Sequence, residues 1–233
     1  HHDAALTPAE HAEVLALMAR ARRAQGDADG ALRLAERSLA TRVERHDALG
    51  LLGELYAEAR RPAEAAEVVR RLAAITRDAR ERRGHLLRAA RLWGEGAGEL
   101  GRGIAVLGEL HGPTPGDVEV AELLALYRER AGEPRGAVQA LAACARAQEA
   151  PRRAELLVAA AQLAAGPARD RAEARRLLKE ALSAAPRFAP AVAAFAASAP
   201  VLVELSVDDQ DHTATWLRSG AVLTAVTGTA RPP

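Results

Sequence analysis

The sequence predicts an all-α protein: an α-solenoid of helix–turn–helix units, closed by a capping helix and followed by a short β-like segment. Three observations predict it. Alanine fills about a quarter of the 233 residues, and Ala, Leu, Arg and Glu are among the strongest helix formers. Apolar residues make up 49% of the chain but aromatic ones only 3%, so the core has to be built from Ala and Leu. Apolar positions recur at i, i+3, i+4 and i+7 in segments that return every 34 to 38 residues. That is the mark of repeats that bury their faces only against one another.

The clearest unit is Leu49-x2-Leu52-Gly53-x2-Tyr56, followed by Ala65-x3-Val69. Leu49, Leu52, Gly53 and Tyr56 share one face of a first helix. Arg61-Pro62 ends it and opens a second helix lined by Ala65, Val69 and Leu72, since proline is tolerated in a first turn. Gly53 and Ala65 are small because two helices cross closely there. The other units follow the same plan. Leu15-x2-Met18-Ala19-x2-Arg22 leads through Gly26-Asp27 to Ala31 and Ala35. Leu86-x2-Ala89-Ala90-x2-Trp93 leads to Gly103 and Leu107, and Ala121-x2-Leu124-Ala125-x2-Arg128 leads through Gly132-Glu133-Pro134 to Ala137 and Leu141. Leu156-x2-Ala159-Ala160-x2-Leu163 leads to Ala174, Leu178 and Pro186.

In these positions the chain resembles the tetratricopeptide repeat (TPR), whose pattern is W-x2-L-G-x2-Y, then A-x3-F, then P. The resemblance covers residues 8–199 as five degenerate repeats plus one helix. The tryptophan is never in place, and Arg22 and Arg128 replace the aromatic. It implies a right-handed solenoid whose first helices line a concave groove for a peptide or a partner's helix. In that register Arg20, Glu54, Arg91 and Leu126 stand at equivalent heights, flanked by Glu13, Arg23, Asp47, Glu58 and Glu122. The expected partner groove is therefore Arg20, Arg23, Asp47, Glu54, Glu58, Arg91, Glu122 and Leu126. Arg20, Glu54 and Arg91 alternate in sign and are expected to bridge one another. The family's clamp for C-terminal carboxylates uses lysine and asparagine, and Ala16 and Arg20 stand in its first copy here, so a chaperone-tail receptor is not expected.

A lone helix over residues 187–199 presents Val192, Phe195, Ala196 and Ala199 in first-helix register and is expected to cover the last repeat. From residue 200 onward the period changes. Val201, Val203, Leu205 and Val207 alternate as in a strand, Asp208–Asp211 reads as a turn, and Thr213–Leu217 and Ala221–Thr227 read as strands around Ser219-Gly220. Short strands need support, so residues 200–233 are expected to lean on the solenoid's end, to assemble with a second chain, or to begin a further domain.

The same residues exclude much chemistry. Gly96-Ala97-Gly98-Glu99-Leu100-Gly101 spells G-x-G-x-x-G, but a helix rather than a strand precedes it, so no dinucleotide site is expected. Asp27 reads as a helix cap rather than a cation ligand. His11, His46, His85, His111 and His212 are scattered without ligand spacing, so no metal site is expected. Cys144, the single cysteine, falls on the inner face of a second helix as a buried structural thiol. No catalytic constellation is present, and no cofactor is expected. The charge of +1 argues against a globally basic nucleic-acid binder. Eight arginines between Arg70 and Arg91 form a local basic run, read as a solvated turn against the alternative of a patch for phosphates or an acidic partner.

Lys179 is the only lysine among 32 basic residues, a skew that fits a GC-rich bacterial coding sequence. His1-His2 reads as a tag remnant or a cut within a longer chain. No signal peptide or membrane span is visible, so a cytoplasmic location is expected. The expected function is a non-enzymatic scaffold or adaptor for a protein or peptide partner. The alternative is a regulatory module excised from a larger enzyme or signalling protein.

Overall fold

A computed structural model describes residues 6–40 and 45–198, together with strands at 214–219 and 222–227. The chain divides into two compact units, residues 1–133 and 134–233.

The first unit holds α1 (Pro8–Ala24), α2 (Ala28–Ala40), α3 (His46–Glu58), α4 (Pro62–Ile75), α5 (Ala79–Arg91), α6 (Leu100–His111) and α7 (Val118–Arg130). Each helix packs against the next in chain order, so odd-numbered helices are the first, and even-numbered ones the second, of successive repeats. Side-chain caps set the starts of α1, α2, α5 and α7. Thr7 accepts from the Glu10 amide while Glu10 reaches back to the Thr7 amide, a reciprocal capping box. Asp27 accepts from the Gly30 amide at 2.8 Å, Asp78 from Glu81 at 2.7 Å and Asp117 from Val120 at 3.3 Å. The capping role expected for Asp27 is the one observed.

Alanine and leucine make the core. Ala12, Leu15, Ala16 and Ala19 form the buried stripe of α1, while Met18, expected on that stripe, is 46% exposed. Ala16 completes the i, i+3, i+4, i+7 set from Ala12, which turns Met18 outward and takes Ala16 away from the groove. Leu49, Leu52, Gly53 and Tyr56 are buried on α3 as expected. A Cβ on Gly53 would stand 3.2 Å from Val69 Cγ2 on α4, so the glycine marks the helix crossing.

The third repeat departs from regularity. A π-helical turn, Leu92–Gly96, continues α5 and carries the buried Trp93, which occupies this repeat's aromatic position. The G-x-G-x-x-G stretch runs from that turn into α6, with Gly98 at φ +72°. A helix precedes it, as the sequence requires. Tyr127 of α7, one residue before the Arg128 that replaces the repeat's tyrosine, is fully buried. Its ring fills a notch made by two glycines. A Cβ on Gly94 would lie 2.4 Å from Tyr127 Cε2, and one on Gly103 would lie 3.0 Å from the same ring. The Tyr127 hydroxyl donates to Glu95 at 3.2 Å.

The second unit holds α8 (Pro134–Arg146), α9 (Arg152–Ala165), α10 (Arg171–Ala184) and α11 (Ala189–Ala197), with β1 (Ala214–Ser219) and β2 (Val222–Thr227). Cys144 is buried on α8. The capping helix α11 packs on α10 and α9, with Arg175 over the Phe195 ring at 5.3 Å. Its buried residue is Ala191, and Val192, expected to face inward, is 48% exposed. The smaller side chain permits the closer approach. β1 and β2 pair antiparallel, from Ala214 opposite Thr227 to Ser219 opposite Val222. The strand expected at Val201–Val207 and the turn at Asp208–Asp211 lie outside the described residues.

The glycine notch makes a direct prediction. Gly94→Ala should destabilise the chain by about 1–3 kcal/mol, because the buried Tyr127 ring has nowhere to move. Gly84 on α5 has open space around its Cα, so Gly84→Ala should stabilise by about 0.5–1 kcal/mol. Urea midpoints of the two variants should shift in opposite directions; shifts of the same sign contradict the packing.

Alkali supplies a second test. Burial, reinforced by Glu95, pushes the Tyr127 hydroxyl up to about 12, and burial with the Glu36 hydrogen bond does the same for Tyr56. Both ionise near 10 when unfolded, so stability is full below that pH and falls as the pH rises towards 12. Tyr127→Phe should lose roughly half as much stability as the parent between pH 9 and pH 11, read by urea unfolding. An identical loss in both proteins contradicts the burial.

Candidate functional site

Burying one stripe of each first helix leaves the opposite stripe outward. On α1 that stripe carries Glu13, Arg20 and Arg23, and on α3 it carries Asp47, Glu54 and Glu58. It continues as Gly84, Arg88 and Arg91 on α5, then Glu119, Glu122 and Leu126 on α7. Arg20, Glu54, Arg91 and Leu126, the four positions placed at equivalent heights, are all exposed.

The charges pair across neighbouring helices, though not as the expected bridge. Arg20 meets Asp47 at 3.4 Å rather than Glu54. Glu54 instead accepts from Arg23 at 2.6 Å, and Arg23 also pairs with Glu58. Arg91 meets Glu119 at 2.9 Å. Asp47 precedes Glu54 by seven residues, and Glu119 precedes Leu126 by seven. The partner of Arg20 and of Arg91 thus stands two turns towards the N-terminus of the next helix. Helical side chains lean in that direction. Arg45, just before α3, braces the start of the face by reaching Glu13 at 3.1 Å and Asp47 at 3.2 Å.

Arg83 of α5 holds a partly enclosed pair. Its guanidinium forks onto Asp117 at 2.5 and 2.8 Å and reaches Glu119 at 2.8 Å. The Arg83 hydrogen bonds hold both carboxyls below their ordinary values of 3.8 and 4.5. Beside these pairs lies a cleft of about 640 Å³, floored by Leu87 and Leu92 and edged by Arg83, Arg88, Arg91, Glu95 and Glu119. Arg88 is exposed and makes no ion pair with any described residue.

The basic run is largely occupied by structural contacts. Arg70 pairs with Glu109, Arg82 donates to the Thr76 carbonyl, and Arg83 and Arg91 bind the acidic start of α7. Arg83, Arg88, Asp117 and Glu119 stand outside the expected set of groove residues. Asp117, a capping residue ahead of an apolar helix, and the excess of arginine on α5 are the signals that could have found them. Between α3 and α5 the link is of another kind, with His46 Nε2 lying 3.3 Å from Glu81 Oε1.

The family model described as tetratricopeptide repeat matches residues 22–90, from the end of α1 into α5. Solved structures share the architecture. A TPR repeats protein from Bacteroides fragilis NCTC 9343 aligns over 80% of this chain and 97% of its own at 13% identity and a TM-score of 0.54. The structure of Naa15/Naa10 bound to HypK-THB aligns over 81% of this chain and 29% of that one at 16% identity and a TM-score of 0.62. Among curated protein sequences nothing matches. Residues 22–90 thus match the tetratricopeptide repeat, and the described helices share the paired-helix fold of the tetratricopeptide-repeat structures. No described helix is long and apolar enough to cross a membrane.

The Arg83 fork makes the face acid-sensitive. A carboxyl whose folded pKa is depressed contributes stability above its unfolded value and loses it as the pH falls through the folded one. Arg83→Met should therefore be less stable than the parent at pH 7, with the difference closing as the pH is lowered below about 4. Thermal melts across that range check it, and a constant difference contradicts the pairing.

Proposed function

We propose that the chain is a non-enzymatic scaffold or adaptor that holds a partner peptide or helix along the face formed by α1, α3, α5 and α7. One observation carries the reading: four successive first helices expose Arg20, Glu54, Arg91 and Leu126 at equivalent positions beside an arginine-edged cleft. Exposed ion pairs of the kind found here are worth about 0–1 kcal/mol each, so a partner's charges can replace them at little cost. The cleft between α5 and α7 suits an apolar side chain entering over Leu87 and Leu92, with a neighbouring carboxylate taken by Arg88. The Naa15/Naa10 structure, a fold neighbour, is itself bound to HypK-THB, which supports a partner-holding role. In this reading residues 8–199 are the interaction module and residues 200–233 a separate β-like segment that can contact a second chain. The module works in the cytoplasm, with protein rather than nucleic acid as its partner.

The test selects binders from a random-peptide display library against the parent chain. Their affinities are then measured by fluorescence polarisation against Glu54→Lys and Arg88→Glu, with circular dichroism confirming that both variants keep their helices. Arg88→Glu should weaken peptides carrying an acidic residue beside an apolar one by about tenfold, the scale of one lost charge-assisted hydrogen bond. Selection without saturable binders, or binders indifferent to both substitutions, contradicts the groove as the site.

A further inference from the structure

We propose that His46, Glu81 and His85 form a binding site for a divalent transition-metal ion, Zn²⁺ being the best fit, that ties the second repeat to the third. The three residues come from separate places in the sequence. His46 is the first residue of α3, whereas Glu81 and His85 stand one turn apart on the first two turns of α5. Each offers one ligand atom, and the three atoms lie within 4.8 Å of one another.

The spacing suits a small ion. Glu81 Oε1 is 3.3 Å from His46 Nε2 and 3.6 Å from His85 Nε2. Ligands held about 2.0–2.1 Å from a tetrahedral zinc stand about 3.3–3.5 Å from one another. The two imidazole rings meet edge-on at 60°, with centroids 5.9 Å apart, so they converge on Glu81 without stacking face to face. Two imidazoles and one carboxylate make a donor set that suits zinc over calcium or magnesium.

A second observation points the same way. His85 Nε2 is buried and has no hydrogen-bond partner, its 3.6 Å separation from Glu81 being too long for one. Buried polar atoms are rarely left unsatisfied, and a bound cation satisfies this nitrogen and Glu81 together.

The surroundings leave the site available to a cation. Three of the neighbouring arginines spend their charge elsewhere: Arg45 on Glu13 and Asp47, Arg82 on the Thr76 carbonyl, and Arg83 on Asp117 and Glu119. The Asp78 cap on the Glu81 amide fixes the turn that presents the carboxylate. Three protein ligands leave the remaining position to water. Bound there, the ion staples the start of α3 to the start of α5, at one end of the partner-binding face.

Titration calorimetry with zinc chloride on the full chain tests the proposal, with His46→Ala and the double variant His46→Ala/His85→Ala alongside. The parent should bind one ion at this site and melt at a higher temperature with zinc present, because a ligand of the folded state raises stability by mass action. His46 is exposed, so its substitution leaves the core intact while weakening zinc binding by about tenfold or more. The double variant should lose both the heat and the melting shift. Cobalt should give the absorption of a low-coordinate site in the parent alone. Zinc bound with unchanged affinity and stoichiometry by the double variant, as His1-His2 would provide, overturns the proposal. So does the absence of saturable binding to the parent.

Discussion

Tyr127 in its glycine notch is the contact on which the third repeat and the charged outward face beside it depend. The ring lies where side chains at Gly94 and Gly103 would otherwise be, so α7 packs directly on the turn after α5 and on α6. From that position α7 presents Asp117 and Glu119 to Arg83 and Arg91. Tyr127 and Trp93, the latter on the turn itself, are the largest fully buried side chains among the described residues. The π-helical turn at Leu92–Gly96 belongs to the same arrangement. It brings Gly94 beneath the ring and Glu95 within reach of its hydroxyl.

Elsewhere the same constraint takes a milder form. A core of alanine and leucine has little bulk to fill gaps, so helices must approach closely, and small residues such as Gly53, Ala65 and Ala191 mark where they do. The charged residues of the first helices then fall outward on a common stripe. Their pairs are too exposed to hold the repeats together by themselves. They keep long arginine side chains in place on the outward surface. The fold therefore comes from packing, and the charged face from what packing leaves outside.

The fold was legible because it is written in periodicity. Leu49, Leu52, Gly53 and Tyr56 sit on the buried stripe that their spacing implies, and several helix starts, α4 and α7 among them, fall at prolines or capping aspartates. Two details were not readable. The repeat pattern puts Met18 inward, because it does not distinguish a stripe beginning at Ala12 from one passing through residue 18. Tyr127 escapes the pattern because it stands one residue before the aromatic position, and its notch needs glycines from two other helical segments. The face shows the same division. The stripe of outward residues follows from the period, but the pairing of Arg20 with Asp47 depends on how side chains lean. The meeting of His46 with Glu81 and His85 depends on which helices are neighbours. A spacing of 35 residues between His46 and Glu81 has no meaning until the repeats are stacked.

A double-mutant cycle tests the central claim most directly. Urea unfolding would be measured for the parent, Gly94→Ala, Tyr127→Leu and the pair together. If the tyrosine ring occupies the space above Gly94, the alanine is costly only while the ring is present. The two changes should then couple by about 1 kcal/mol or more, with Gly94→Ala nearly neutral in the Tyr127→Leu background, where the shorter aliphatic side chain leaves the notch open. Effects that add within about 0.5 kcal/mol, as they do for residues that do not touch, would contradict the account.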